Sequence, residues 1–212
     1  MLVRLNRGDT LIEVLFAVTI FSLIAVGALA IMNQGTASSQ RALEITLVRQ
    51  QVDSQAETLR FLNNSYVAAY NAGSTYALTT PAGQWSKMVT SIPSGVTQAS
   101  NFGSDGVCPT TTMPNGSFIL DTKNAQFIAP SQDKLKPAVS FSQLEYNETG
   151  ATPVLSAAEG IWIEAVRSAT NTTDVHQSNI GYIDFHIRAC WYSMGQATPI
   201  SIGTIVRLYE PR

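Results

Sequence analysis

The 212-residue chain reads as an α+β protein: a long N-terminal α-helix, membrane-spanning in its first half, packed through its second half on an antiparallel β-sheet head. Three observations predict this. No charged residue occurs from Val14 to Gln40. From Thr36 to Asn64, apolar and charged residues recur at helical spacings with no proline between them. Near the C-terminus, two stretches alternate with the period of two that marks half-buried strands.

The first element is the apolar run from Val14 to Met32, interrupted only by Thr19, Ser22 and Gly27. As a helix at about 1.5 Å per residue it reaches roughly 28 Å, close to the ~30 Å hydrocarbon core of a bilayer. Arg4 and Arg7 precede the run, and the next positive charge is Arg41. That bias keeps the N-terminus in the cytoplasm and places the C-terminal head outside it, as in a single-pass membrane protein. Glu13 sits at the upstream edge of the run with apolar neighbours on both sides. An unpaired carboxylate at the bilayer centre costs on the order of 2.5 kcal/mol or more, so Glu13 is shallow, paired or functional.

The stretch Gly8-Asp9-Thr10-Leu11-Ile12-Glu13-Val14-Leu15 resembles the type III signal sequence of type IV pilins and of type II secretion pseudopilins. The resemblance covers about the first thirty residues and implies a type IV pilin-like fold. It also implies that prepilin peptidase cuts between Gly8 and Asp9 and methylates the new amino terminus on Asp9. Glu13, the fifth residue after the cut, would then help dock the chain among other pilin or pseudopilin subunits, in a filament at the cell surface or in the periplasm. One position departs from the pattern: Asp9 stands where phenylalanine or another apolar residue is usual. The family's common proline further along the helix is also missing, and Ala30 stands in its place.

The implied organisation is a leader at 1–8, a transmembrane and filament-core helix at 9–35, an amphipathic continuation at 36–64 and a β-rich extracytoplasmic head at 65–212. A rival processing site is Ala28-Leu29-Ala30, which has the small-x-small pattern of ordinary secretory peptides. Asp9 and Glu13 in the would-be basic region, and an apolar run that continues past Ala30, argue against it.

In the second half of the helix, Leu43, Leu47, Val52, Ala56 and Leu59 form the expected packing face. Arg49 with Asp53, and Glu57 with Arg60, are spaced to meet across a turn. Gly27 and Gly35 are weak points, each about 1 kcal/mol poorer than alanine, where a bend or local melting is expected. Asn63-Asn64-Ser65 reads as the stop. Tyr66 to Gly116 reads as long loops with a short helix near Gln84 to Val89. Ser117–Asp121 and Ala125–Ala129 read as a hairpin around Thr122-Lys123-Asn124. Ser140–Tyr146 and Ile161–Arg167 are further strand candidates, and Ile180–Tyr192 with Ile200–Leu208 are expected to form an antiparallel hairpin across the turn-rich Gly195–Pro199.

Composition narrows the chemistry. The formal net charge is −2, and loss of Met1 to Gly8 removes Arg4 and Arg7, so nucleic-acid binding is not indicated. The cysteines Cys108 and Cys190 both fall in the outward part, where an oxidising compartment allows them to pair as a disulfide, with one possible connectivity. Their spacing suits neither a zinc site nor a redox motif, so no metal and no cofactor is expected. His176 and His186 do not form a recognisable catalytic set; His186, between Asp184 and Arg188 on one strand face, reads as a partly exposed structural residue. Gly103 to Gly106 lacks the lysine and the strand-to-helix context of a phosphate loop. Glu145 and Glu148 read as solvated, and the Asn-x-Ser/Thr triplets at Asn63, Asn115, Asn147 and Asn171 as chance.

The sequence is thus read as a structural subunit, not an enzyme: a pilin or pseudopilin partnered by prepilin peptidase, other subunits and the membrane. The atypical Asp9 and the irregular Tyr66–Gly116 region favour a minor subunit. The competing reading is a membrane-anchored or secreted binding protein with no filament role.

Overall fold

The computed structural model describes residues 9–92, 107–109, 113–114, 116–129, 133–148, 150, 152–167 and 181–211. Gly8 and the rest of the leader, His176, Gly103–Gly106 and the triplets at Asn115 and Asn171 lie outside the described residues. The chain divides into two compact units, residues 1–43 and 44–212.

Helix α1, Asp9–Asn71, supplies the described part of the first unit. Gly27 and Gly35 do not interrupt it: the helical pattern continues through both, and a Cβ at either would meet nothing within 4 Å. The expected local melting does not occur: each glycine is flanked by helix formers or by polar residues that bond back to the helix. Ser39 Oγ, for example, donates to the Gly35 carbonyl at 2.9 Å, and Thr36 Oγ1 to the Asn33 carbonyl at 2.9 Å.

In the second unit, α1 buries Val48, Val52, Gln55, Ala56, Leu59 and Leu62. This corrects the expected face. Leu43 is 60% exposed and Leu47 36% exposed, whereas Val48 is fully buried. The geometry explains it, since the five-residue step from Leu47 to Val52 turns about 140° around the axis, while four residues from Val48 to Val52 turn only about 40°. Glu44, one turn before Val48, lies on this stripe, and its Oε2 accepts from Trp191 Nε1 at 3.1 Å. Of the two charge pairs expected on the helix, Glu57–Arg60 closes as an ion pair and Arg49–Asp53 does not.

The helix also runs to Asn71, past the expected stop at Asn64. Leu62 and Asn63 are buried, and Asn63 Nδ2 donates to the Tyr209 carbonyl at 3.4 Å, so a tertiary contact holds the polar pair inside the helix. Tyr66 then packs against Tyr70 and Tyr76, with ring centroids 6.4 and 5.7 Å away.

Helix α2, Pro81–Ser91, is longer than the expected Gln84–Val89. Thr80 caps it by accepting from Gly83 N–H at 3.3 Å, with Pro81 in the first turn where its missing N–H is harmless. Gly83 is required because a Cβ there would lie 2.1 Å from the Ala77 carbonyl oxygen.

The strands are β1 (Ile119–Asp121), β2 (Gln126–Ile128), β3 (Leu135–Lys136), β4 (Gln143–Asn147), β5 (Val154–Glu159), β6 (Ile161–Arg167), β7 (Tyr182–Trp191) and β8 (Ile200–Tyr209). They form an antiparallel β1-β2 pair, a β3-β5-β4 sheet in which β3 and β5 are parallel, and an antiparallel β6-β7-β8 sheet. The expected β1-β2 and β7-β8 hairpins are present, as is a strand at Ile161–Arg167. β4 begins at Gln143, not Ser140. β3 and β5 were not anticipated; β5 reads Val-Leu-Ser-Ala-Ala-Glu, poor in strand formers, and is held by neighbours on both sides.

The chain passes from β5 to β6 at Gly160, whose φ is +59°. Its N–H donates to the Lys136 carbonyl at 2.6 Å, and its own carbonyl accepts from Cys190 N–H at 2.8 Å and Ser142 Oγ at 2.9 Å. A Cβ would fall 2.5 Å from the Cys190 carbonyl oxygen, so only glycine turns this corner.

The core lies between the α1 stripe, α2 and the inner face of β6-β7-β8. Ile183, Phe185, Ile187 and Ala189 alternate inward along β7, with Phe185 against Trp85 at 5.7 Å and Phe118 at 6.3 Å.

Candidate functional site

The N-terminal part of α1 is one continuous helical surface from Leu11 to Met32 whose large apolar side chains are exposed. Asp9 is the first helical residue, and Glu13 follows one turn later, itself exposed. The two hydroxyls within the run are turned onto the helix: Thr19 Oγ1 donates to the Phe16 carbonyl at 2.8 Å and Ser22 Oγ to the Val18 carbonyl at 2.7 Å. Their polarity is satisfied locally, which leaves an outer surface compatible with lipid or with other apolar helices. By length and composition this is a helix able to cross a membrane, and none of its apolar window is buried within the chain. Asp9 and Glu13 are the acidic residues at the entrance of this run; the next one along the helix is Glu44.

Cys108 and Cys190, 82 positions apart, are joined as a disulfide with Cα atoms 5.6 Å apart. The bridge fixes residues 107–109 to β7 beside the Gly160 corner. Two glutamines do comparable work without covalent bonds. Gln55, fully buried on α1, donates through Nε2 to the Leu120 carbonyl at 2.7 Å and accepts from Leu120 N–H at 3.1 Å. Gln84 of α2 donates to the Leu78 carbonyl at 2.6 Å and accepts from Phe127 N–H at 2.9 Å. Each side-chain amide replaces a strand neighbour and anchors β1 or β2 to a helix. Asp121 closes the hairpin between them, accepting from the N–H groups of Lys123 and Asn124 at 3.1 Å each. None of these residues stood out in the sequence, although a glutamine inside an apolar helical stripe was a usable signal.

The remaining chemistry is modest. His186 lies on the outer face of the sheet, opposite Glu164 on β6 and Ile205 on β8, and Arg188 Nη1 reaches Glu164 Oε1 at 3.4 Å. Burial, and then the Arg188 guanidinium, hold the imidazole below its ordinary range despite the opposing pull of Glu164 and Asp184. Asp184 is held below the usual carboxylate range by Arg207, which donates twice to it at 2.7 Å. Glu145 is exposed as expected, while Glu148 pairs with Lys123 at 3.2 Å. Asn63 is buried and bonded, and Asn147 is exposed at the end of β4. Among the described residues no three His, Cys, Asp or Glu side chains converge as a metal site.

A cleft of about 240 Å³ is lined by Tyr66, Tyr70, Trp85, Val89 and Glu210 among others. It is smaller than the roughly 300–1,000 Å³ of sites for drug-sized ligands. Arg167 flanks it, with Nη2 donating to the Val89 carbonyl at 2.6 Å and Nη1 3.5 Å from Glu210 Oε1. The site with the clearest chemistry is therefore the start of α1.

Compared with known families, residues 4–29 match the prokaryotic N-terminal methylation motif. No curated protein and no solved structure matches the chain. The matched segment holds Gly8, Asp9 and Glu13 and most of the apolar run, and the long helix with antiparallel-rich sheets is an α+β arrangement consistent with a pilin-like fold. The chain thus carries, at the head of its long apolar helix, the signal of type IV pilins and pseudopilins that prepilin peptidase processes.

Proposed function

We propose that this protein is a structural subunit, a minor pilin or pseudopilin, of a type IV pilus or a type II secretion-like filament. Prepilin peptidase cuts between Gly8 and Asp9 and methylates Asp9, and the helix holds the product in the membrane until it joins other subunits. The observation that carries this reading is the exposed apolar surface of α1 with Glu13 one turn from its start, under a matched methylation motif. Such a surface needs lipid or neighbouring helices to cover it. The disulfide supports a head placed in an oxidising, extracytoplasmic compartment.

Glu13 is the docking group in this scheme. Its carboxylate attracts the amino-terminal ammonium of a neighbouring subunit, an attraction that grows where packed helices or lipid exclude water. Asp9 carries its own carboxylate one turn before Glu13, and like charges at that spacing repel. The helix N-terminus and the ammonium offset this in part. Docking weakened in this way suits a subunit used in few copies.

N-terminal mass spectrometry of the mature protein, combined with a Glu13→Ala variant, tests the proposal. The expected mature chain begins at methylated Asp9, and Glu13→Ala is cut and inserted but missing from sheared filaments, while Asp9→Phe is incorporated at least as well as the parent. A mature start at Met1 or Ile31 would replace the filament role with a plain anchor or a secreted protein. Normal recovery of Glu13→Ala in filaments would remove Glu13 from docking.

A further inference from the structure

We propose that the free edge of β8 pairs antiparallel with β8 of a second copy of this chain, joining two β6-β7-β8 sheets into one. The proposal stands on the head and does not require the filament reading.

The ladder fixes which backbone groups are free. Glu210 N–H donates to the Gly181 carbonyl at 2.9 Å, and the register places these residues opposite each other just beyond Tyr182 and Tyr209. In an antiparallel pair, hydrogen-bonded and non-bonded positions alternate. The even-numbered residues of β8 therefore direct their N–H and C=O groups to β7, and Ser201, Gly203, Ile205, Arg207 and Tyr209 direct theirs away. The Tyr209 carbonyl is taken by Asn63. Among the described residues nothing pairs with the outward groups of Ser201, Gly203, Ile205 and Arg207.

Exposed edges are normally blunted by proline, bulges, inward charges or a covering element. β8 runs ten residues in unbroken register and, among the described residues, has none of these along its middle. Its one charge, Arg207, is drawn back over β7 by Asp184 and lies 4.0 Å from the Tyr182 ring. Among the described residues the edge is left uncovered, with Ile205 exposed beside it.

The strand is complementary to itself. With a two-fold axis at Ile205, Ile205 meets Ile205 of the second copy, and Arg207 meets Gly203, the residue without a side chain. On the other face, Ile202 meets Leu208 and Thr204 meets Val206. Apolar and β-branched cross-strand pairs are favourable, and no like charges face each other. The Gly203–Arg207 and Ile205–Ile205 pairings provide about six backbone hydrogen bonds. Such a contact is isologous and closes at two copies.

The test uses the full-length chain in its membrane and in mild detergent. Ser201→Cys, Ile205→Cys and Tyr209→Cys are treated with a short bismaleimide, and light scattering compares the parent with Ile205→Pro. Proline at 205 deletes an outward N–H and leaves the β7 ladder intact. Expected are a covalent dimer at Ile205→Cys far exceeding that at Ser201→Cys or Tyr209→Cys alone, and a parent of twice the monomer mass that Ile205→Pro halves while keeping the Cys108–Cys190 bridge. Equal cross-linking at the three positions, capture of a different protein at Ile205→Cys, or a mass unchanged by Ile205→Pro would each overturn the proposal. If Ile205→Pro fails to keep the bridge, the cysteine series decides alone.

Discussion

Replacing Gln55 with leucine isolates the contribution of one buried side chain to the join between α1 and the β1-β2 pair. Leucine keeps approximately the same volume in a fully buried position, so no large cavity opens. What is lost are the two bonds to Leu120, at 2.7 and 3.1 Å, and Leu120 is itself fully buried. A buried backbone group left without a partner costs about 1–3 kcal/mol, so the N–H and C=O of Leu120 together cost about 2–6 kcal/mol. Removing the glutamine amide from an apolar stripe offsets part of this, and a net loss of about 2–4 kcal/mol remains. For a domain of this size 1 kcal/mol corresponds to about 2–4 °C, which places the fall in Tm at about 5–15 °C. Near-UV circular dichroism of the full-length protein in detergent measures the unfolding, and amide exchange at Leu120 reports the site directly. Leu47→Ala, on a partly exposed position, serves as the control and is expected to shift Tm by no more than about 2 °C. If Gln55→Leu melts with the control, the amide is not what anchors β1, and the argument from unsatisfied backbone groups fails.

The Cys108–Cys190 bridge closes a separation of 82 residues, for which the chain-entropy estimate is about 4.5 kcal/mol; paired Cys→Ala variants are expected to lose up to that amount, read as a fall in denaturation midpoint against the oxidised parent. Because His186 is held below its ordinary range in the folded state, the unfolded chain binds the extra proton first, and stability falls as pH drops through about 6.5. His186→Asn should flatten Tm between pH 7 and 5, and an unchanged slope would remove His186 from the account. Asp184, also held low, adds its loss only below about pH 4, where Arg207→Gln should remove it. On α1, Leu59→Asp buries a carboxylate at a fully buried site and should prevent folding of the head, whereas Leu47→Asp should fold; proteolysis of membrane fractions distinguishes them.

Whatever depends on neighbours along the chain can be read directly from the residues. Gly8 to Leu15 contain the signal in consecutive residues, the apolar run declares its length, and the alternation from Ile183 to Trp191 declares a strand with one buried face. Two cysteines allow one intramolecular pairing, so the bridge was legible without coordinates. Which face of α1 is buried, and where the helix ends, depend instead on contacts between distant segments. A stripe of Leu43, Leu47 and Val52 satisfies hydrophobic spacing loosely, but the packed sheet selects Val48, Val52, Leu59 and Leu62, and the Tyr209 carbonyl keeps Asn63 helical. β5 exists because β3 and β4 supply its hydrogen bonds, not because its alanines favour extension. Gln55 and Gln84 become structural because the groups they satisfy lie 65 and 43 positions away, and a local pattern carries no record of a distant carbonyl.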